Sequence, residues 1–303
     1  MKFLIVGSGG TGGSIGAFLA ESGQDVTFIA RGKHLEEINK NGLKLKSDIK
    51  GQKNLKNIKA YTAEQYDDKA DVIFVCVKSY SLDEIIPLIK KAAKQDTLII
   101  PILNGAGAGD KLAAKLKEGI VLDGCIYIVA YLSVPGEVTQ MGDIFRIVYG
   151  ERQKDDANKE SLKALKEVLI KAGIKVTISD NIKRDTFRKF SFISSYAACG
   201  AYYNINSGQM RENDEYKNTF IKLTEEFIKV SNAMGIVFDI DLLQTNIKIL
   251  EAMEKEATAS MQKDLEKGNK TEMDELIFQI VRLGDKYGVE VPTYKKIAKS
   301  FEI

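Results

Sequence analysis

Gly7-Ser8-Gly9-Gly10-Thr11-Gly12 stands between a short apolar run, Lys2-Phe3-Leu4-Ile5-Val6, and a stretch from Ser14 to Ser22 that carries Ile15, Phe18 and Leu19 on one side. That order reads as strand, glycine-rich turn and helix, and it leaves few folds open. Gly7, Gly9 and Gly12 hold the G-x-G-x-x-G spacing, which serves a tight turn, a close backbone approach to a pyrophosphate, and packing of the helix on the strand. The first N–H groups of the helix then point at the phosphates. Glycines also cluster in ordinary loops. Here the strand before and the helix after make Gly7, Ser8, Gly9, Gly10, Thr11 and Gly12 candidate dinucleotide contacts.

Gly23 stops the helix, and a second apolar run, Asp25-Val26-Thr27-Phe28-Ile29-Ala30, ends at Arg31 with Lys33 close behind. An NAD-selective fold places Asp or Glu there to accept from the ribose 2′-OH. A guanidinium is instead a fork for phosphate oxygens, so Arg31 points to the 2′-phosphate of NADP. The alternative is a solvated arginine after a strand.

At 303 residues the chain is long enough for two domains with separate cores. Its 44 basic and 42 acidic residues leave a formal charge of +2 and are interspersed. No polybasic run suggests a nucleic-acid or membrane partner. Apolar runs such as 71–77 and 97–103 are strand-length, far short of a bilayer span. No export segment precedes the first strand, so a soluble cytoplasmic protein is expected. Cys76, Cys125 and Cys199 sit in apolar contexts without a zinc pattern and read as buried thiols in a reducing compartment. The single histidine, His34, lies in a charged turn beside the expected adenine end, which argues against histidine-based catalysis, and metal ligands are equally scarce.

Further strands are expected at 58–62, 70–77 and 97–103, with a polar excursion before the first of them and a helix over 82–93. The run 70–77 is continuously apolar, as a parallel strand covered on both faces should be. Lys78 and Asn104 fall at the carboxyl ends of the last two strands, the edge where doubly wound sheets bind ligands. A strand-end lysine in solvent and an Asn-Gly turn are the alternatives. A helix over 110–116, apolar runs at 120–122 and 125–132, a hairpin-like end of the sheet over 135–150, a helix over 156–172 and a strand at 175–178 complete a first domain of residues 1–180.

From residue 181 the texture becomes helical: Tyr216, Phe220, Leu223, Phe227 and Val230 fall on one stripe. A helical region over 241–266 and a helix from an N-cap at Thr271 to Tyr287, with Asp274 in the capping-box position, follow. The expected fold class is thus α/β, an N-terminal Rossmann-type doubly wound parallel sheet followed by an all-α C-terminal domain, residues 181–303.

The catalytic group has to come from the helical half, because a nucleotide fold alone names no reaction. Lys189 is flanked by Phe190 and Phe192 in an otherwise apolar helix whose later turns are small: Ser191, Ser194, Ser195, Ala197, Ala198, Gly200 and Ala201. Such a run lets a neighbouring helix or a ligand come close. A partly desolvated lysine near a ketone can donate a proton while hydride arrives from a nicotinamide. A snorkelling surface lysine is the bland alternative. Glu272, in the first helical turn after Thr271, is favoured as a carboxylate by the helix dipole, by about 0.3–1 kcal/mol, which also fits a plain surface role. Ser260, among Ala257, Thr258 and Ala259 and expected in mid-helix, could equally serve packing.

The order of the glycine loop, Arg31, Val77-Lys78, Leu103-Asn104-Gly105, Phe187-Arg188-Lys189, Ser260-Met261-Gln262-Lys263-Asp264 and Thr271-Glu272-Met273-Asp274 resembles the ketopantoate (2-dehydropantoate 2-) reductase family over nearly the whole chain. The resemblance implies NADPH-dependent reduction of 2-dehydropantoate to (R)-pantoate, in pantothenate and coenzyme A biosynthesis, in a cleft between the two domains. It implies Lys189 as proton donor, Asn104 on the nicotinamide ribose and substrate, Lys78 on the cofactor, and Ser260 on the substrate carboxylate. Glu272 would bond a cofactor or substrate hydroxyl, and Ala130 would line the nicotinamide side. A homodimer through the helical half is plausible by the same analogy. The chain departs at three places. Ile193 and Ala197 stand where the family's lysine helix presents asparagines, and Ser207 where a further substrate asparagine would be. Two other readings stay open: a related NADPH-dependent reductase of a more apolar branched keto acid, and a non-catalytic NADPH-binding sensor.

Overall fold

The computed structural model describes residues 1–153 and 155–301; the last two residues of the expected second domain, 302 and 303, lie outside the described part. The chain divides into two compact units. One comprises Met1–Leu103 and Gly107–Ile182, the other Asn104–Ala106 and the chain from Lys183 onward.

The first unit is built on β1 (Lys2–Val6), β2 (Asp25–Ile29), β3 (Leu43–Ser47), β4 (Gly51–Leu55), β5 (Lys59–Tyr61), β6 (Val72–Val75), β7 (Leu98–Pro101), β8 (Ile120–Val134), β9 (Glu137–Glu151) and β10 (Lys175–Ile178). The sheet order is β4-β3-β9-β8-β7-β6-β1-β2-β5, with β10 also on β9. From β5 to the start of β8 every pairing is parallel. β6 and β7 are buried at every position, as strands covered on both faces must be. The helices α1 (Gly10–Glu21), α2 (Gly32–Asn41), α3 (Leu82–Ala92), α4 (Ala108–Lys115) and α5 (Lys159–Lys171) connect them. From β1 the chain steps to β2 on one side and later to β6 on the other, so the sheet reverses order at β1, the kind of switch point outside whose strand ends doubly wound sheets bind ligands.

The sheet is Rossmann-type with a mixed extension. The runs expected separately at 120–122 and 125–132 form one strand, β8, paired antiparallel with β9 through a β-bulge beside Ile128 and Val129. The expected polar excursion holds a hairpin instead. β3 alternates buried and exposed residues and pairs antiparallel with β4, while its other edge runs parallel to β9.

The second unit is helical: α6 (Ile182–Tyr203), α7 (Ser207–Glu212), α8 (Asp214–Ala233), α9 (Leu242–Ala252), α10 (Ser260–Glu266), α11 (Gln279–Tyr287) and α12 (Pro292–Phe301), with a π-helical turn over Asp274–Phe278 directly before α11. The small residues of α6 admit neighbouring helices. Ser194 donates to the Leu276 carbonyl of the π turn at 2.6 Å and shares a 2.7 Å bond with the Tyr294 hydroxyl of α12. Burial pushes the Tyr294 phenol well above its ordinary range. Phe187, Phe190 and Phe227 pack edge-on or tilted between α6 and α8.

Two expectations are corrected here. The helical region over 241–266 is two helices, α9 and α10, so Ser260 is the exposed first residue of α10, not a mid-helix residue. Thr271 is not the N-cap and Glu272 is not in a first helical turn: helical geometry begins only at Met273, and the Glu272 carbonyl accepts from the Leu276 N–H at 3.0 Å. Among the described residues no helix is long and apolar enough to cross a membrane.

Candidate active site

The glycine turn of the first unit is sterically compelled. Gly7 has φ +94°, and a Cβ there would come within 2.9 Å of the Cys76 carbonyl group at the end of β6. At Gly12 a Cβ would collide with the Gly7 carbonyl, so strand and helix close only on a glycine. Beside Gly9, the N-cap of α1, a side chain would meet nothing within 4 Å. That open space at the first N–H groups of α1 is the kind of cradle a pyrophosphate fills, and the residues fit a dinucleotide. Gly10 admits a different neighbour, since its Cβ would lie 2.5 Å from the Tyr131 backbone and 2.6 Å from the Ala130 carbonyl carbon. The β8–β9 hairpin therefore brings Ala130 against the turn.

Arg31 is exposed at the N-cap of α2, just past β2. One turn on, His34 does what its position in sequence did not announce. Its Nδ1 accepts from the Gly136 N–H at 2.9 Å and its Nε2 lies 2.8 Å from the Ser8 carbonyl, so a neutral ring with the proton on Nε2 pins the glycine turn to the tip of the hairpin. Burial lowers its pKa, partly offset by the bond to Ser8. Lys78 is half-buried and leads into a short 3₁₀ turn, Ser79–Ser81. Cys76, Cys125 and Cys199 form no disulfide with one another, and burial pushes the Cys199 thiol up to about 12 and Cys76 further still.

In the second unit Lys189 is half-buried on α6, and its Nζ lies 3.2 Å from Asn104 Oδ1. The two residues are 85 positions apart in sequence. Asn104 belongs with Gly105 and Ala106 to the helical unit, although it follows β7 in the chain. Glu272 is only 3% exposed, which removes its reading as a surface carboxylate. Ser260 starts α10, whose first turn is fixed by Gln262: its Oε1 accepts from the Ala259 N–H at 2.9 Å and its Nε2 donates to the Ile205 carbonyl at 2.9 Å.

The face of α6 beyond Lys189 is apolar, with Ile193 half-buried and Ala197 buried. Ser207 is fully buried, its hydroxyl 2.8 Å from the Tyr196 hydroxyl and 3.0 Å from the Ala257 carbonyl. Among the described residues no cluster of histidine, cysteine and carboxylates could hold a metal ion.

Residues 3–154 match the family model described as Ketopantoate reductase PanE/ApbA, and residues 181–301 match its C-terminal counterpart. The chain is 31% identical to the 2-dehydropantoate 2-reductase of Pyrococcus horikoshii over 296 residues, covering 96% of this chain and 93% of that protein. It is 30% identical to the uncharacterized oxidoreductase YkpB of Bacillus subtilis over 306 residues, covering 100% and 98%. The crystal structure of a 2-dehydropantoate 2-reductase from Geobacter metallireducens superposes with a TM-score of 0.90 at 27% identity, covering 100% of this chain and 99% of that one. A glycine turn with the G-x-G-x-x-G spacing, a helical unit carrying a lysine–asparagine pair, and a family match over both halves lead to one conclusion: the chain belongs to the ketopantoate reductase family, NADP-dependent oxidoreductases that reduce 2-keto acids.

Proposed function

We propose that this enzyme reduces 2-dehydropantoate to (R)-pantoate with NADPH, in pantothenate and coenzyme A biosynthesis. The observation that carries the reading is the Lys189–Asn104 pair at 3.2 Å, which holds a half-buried ammonium group against a fixed acceptor. On this reading the first unit is the NADP-binding domain. The turn from Gly7 to Gly12 takes the pyrophosphate, Arg31 the 2′-phosphate, Lys78 the cofactor's polar groups, and Ala130 the nicotinamide side.

When bound, NADPH would supply the hydride that the carbonyl carbon of the keto acid takes up. Lys189 gives its proton to the carbonyl oxygen as that oxygen gains charge, so C=O becomes CH–OH and the amine is reprotonated from solvent. Asn104 orients the ammonium and meets the ribose and substrate, the Ser260 hydroxyl at the start of α10 donates to the substrate carboxylate, and the Glu272 carboxylate accepts from a hydroxyl. Protein of this kind works in the cytoplasm, and a second copy pairs through the helical half.

A second reading is favoured by a specific observation. Ile193 and Ala197 put no amide on the lysine face of α6, and the Ser207 hydroxyl is occupied by Tyr196 and Ala257. A more apolar branched keto acid suits that surface. Following NADPH absorbance with 2-dehydropantoate beside a panel of branched 2-keto acids decides between them, with Lys189→Ala as control. Turnover of 2-dehydropantoate supports the first reading, turnover of another acid alone the second, and NADPH binding without any turnover returns the chain to a sensor.

A further inference from the structure

The segment Asn104-Gly105-Ala106 is held by one side chain. Gln279, the first residue of α11, accepts from the Ala106 N–H through Oε1 at 3.3 Å and donates through Nε2 to the Ala106 carbonyl at 2.9 Å. A primary amide thus pairs with both the N–H and the carbonyl of one residue, 173 positions away in the chain. The same contact explains two backbone features. Gly105 has φ +93°, and a Cβ there would sit 3.1 Å from Glu275 Cβ, so only glycine brings this loop so close to the turn. The π turn over Asp274–Phe278 adds a residue to one helical turn, rotating all that follows by about 100°. Without that extra residue the side chain at 279 would be turned by that angle relative to the loop.

We propose that Gln279 is a positioning residue for the reduction: by clamping Ala106 it fixes Asn104, and through Asn104 the ammonium of Lys189. The inference rests on the reading of Asn104 and Lys189 given above. Lys189 Nζ and Asn104 Oδ1 are 3.2 Å apart, so a loop shift of about 1 Å breaks the bond, and misplacements of that size cost about 10²-fold in rate. Gln279 is half-buried, and both of its amide atoms are engaged by Ala106, so its effect on the reaction passes through the loop.

The test compares Gln279→Met, which keeps length and loses both bonds, with Gln279→Glu, which keeps the acceptor for the Ala106 N–H. Gln279→Met should lower kcat about 10- to 100-fold with a smaller change in the KM for keto acid. Gln279→Glu should fall between it and the wild type. The deuterium isotope effect with 4-deuterated NADPH should rise in Gln279→Met, because the chemical step becomes more fully rate-limiting; a merely destabilised protein would not show this. In the protein without cofactor, hydrogen exchange at the Ala106 amide should accelerate. Unchanged exchange, or an unchanged kcat in Gln279→Met while Lys189→Ala is inactive, overturns the inference and leaves the functional reading standing. Full turnover in Lys189→Ala removes both.

Discussion

His34 and Gly136, 102 residues apart, are joined by a 2.9 Å hydrogen bond from the Gly136 N–H to Nδ1, which commits the other ring nitrogen to the Ser8 carbonyl. A protonated ring could not accept that bond. Because burial holds the His34 pKa below its ordinary value, the unfolded chain takes up a proton near pH 6.5 while the folded one does not. Stability should therefore be full above about pH 6.5 and fall as the pH drops from there to the folded pKa. Denaturant midpoints measured across that window should show the decline, and His34→Gln should flatten it. A wild-type midpoint that holds constant through the window would contradict the assignment.

Arg31 sets cofactor choice if its guanidinium meets the 2′-phosphate. Charge-assisted bonds of about 1.5–3 kcal/mol correspond to roughly 10- to 150-fold in affinity. Arg31→Asp should lower the ratio of kcat/KM for NADPH over NADH by at least about tenfold, and an unchanged ratio would refute the role.

Gly12→Ala places a methyl group against the Gly7 carbonyl. The turn must open to admit it, and NADPH affinity, followed by fluorescence titration, should fall at least about tenfold. Gly23→Ala makes a useful contrast. Its left-handed φ of +84° costs stability, but no atom lies within 4 Å of the new Cβ, so cofactor affinity should hold.

Glu226 on α8 is 6% exposed and accepts from the backbone N–H groups of Thr293 and Tyr294 at 2.8 and 3.0 Å, capping α12 from outside. Glu226→Ala leaves two backbone donors without a partner, at about 1–3 kcal/mol each at most. A fall in Tm of several degrees is expected, with Glu226→Gln milder because an acceptor remains. An unchanged Tm in Glu226→Ala would show that water replaces the carboxylate without loss.

What can be read from the residues alone follows their range of action. The turn from Gly7 to Gly12 is legible because its constraints act over a few bonds, and β6 and α8 because apolar period and length suffice to declare them. The β3–β4 hairpin is not, since Lys44, Lys46 and Lys53 face water and disguise a strand whose buried Leu43 and Leu45 show the two-residue period. Ser260 reads as mid-helix because Ala257, Thr258 and Ala259 look helical, whereas the break before α10 is made by the Gln262 side chain capping Ala259. The roles of His34 and Gln279 are out of reach, because their partners lie 26, 102 and 173 positions away.

Three residues shortly after β7 side with the helices instead of the sheet that precedes them. A stop codon after Ile182 would consequently not release a finished nucleotide-binding module. It would strip the Ala106 peptide of its amide partner and leave Gly105 and Gly107, both left-handed, to swing where a fixed strap had been. Dissecting this enzyme by truncation should return less than the sum of its pieces.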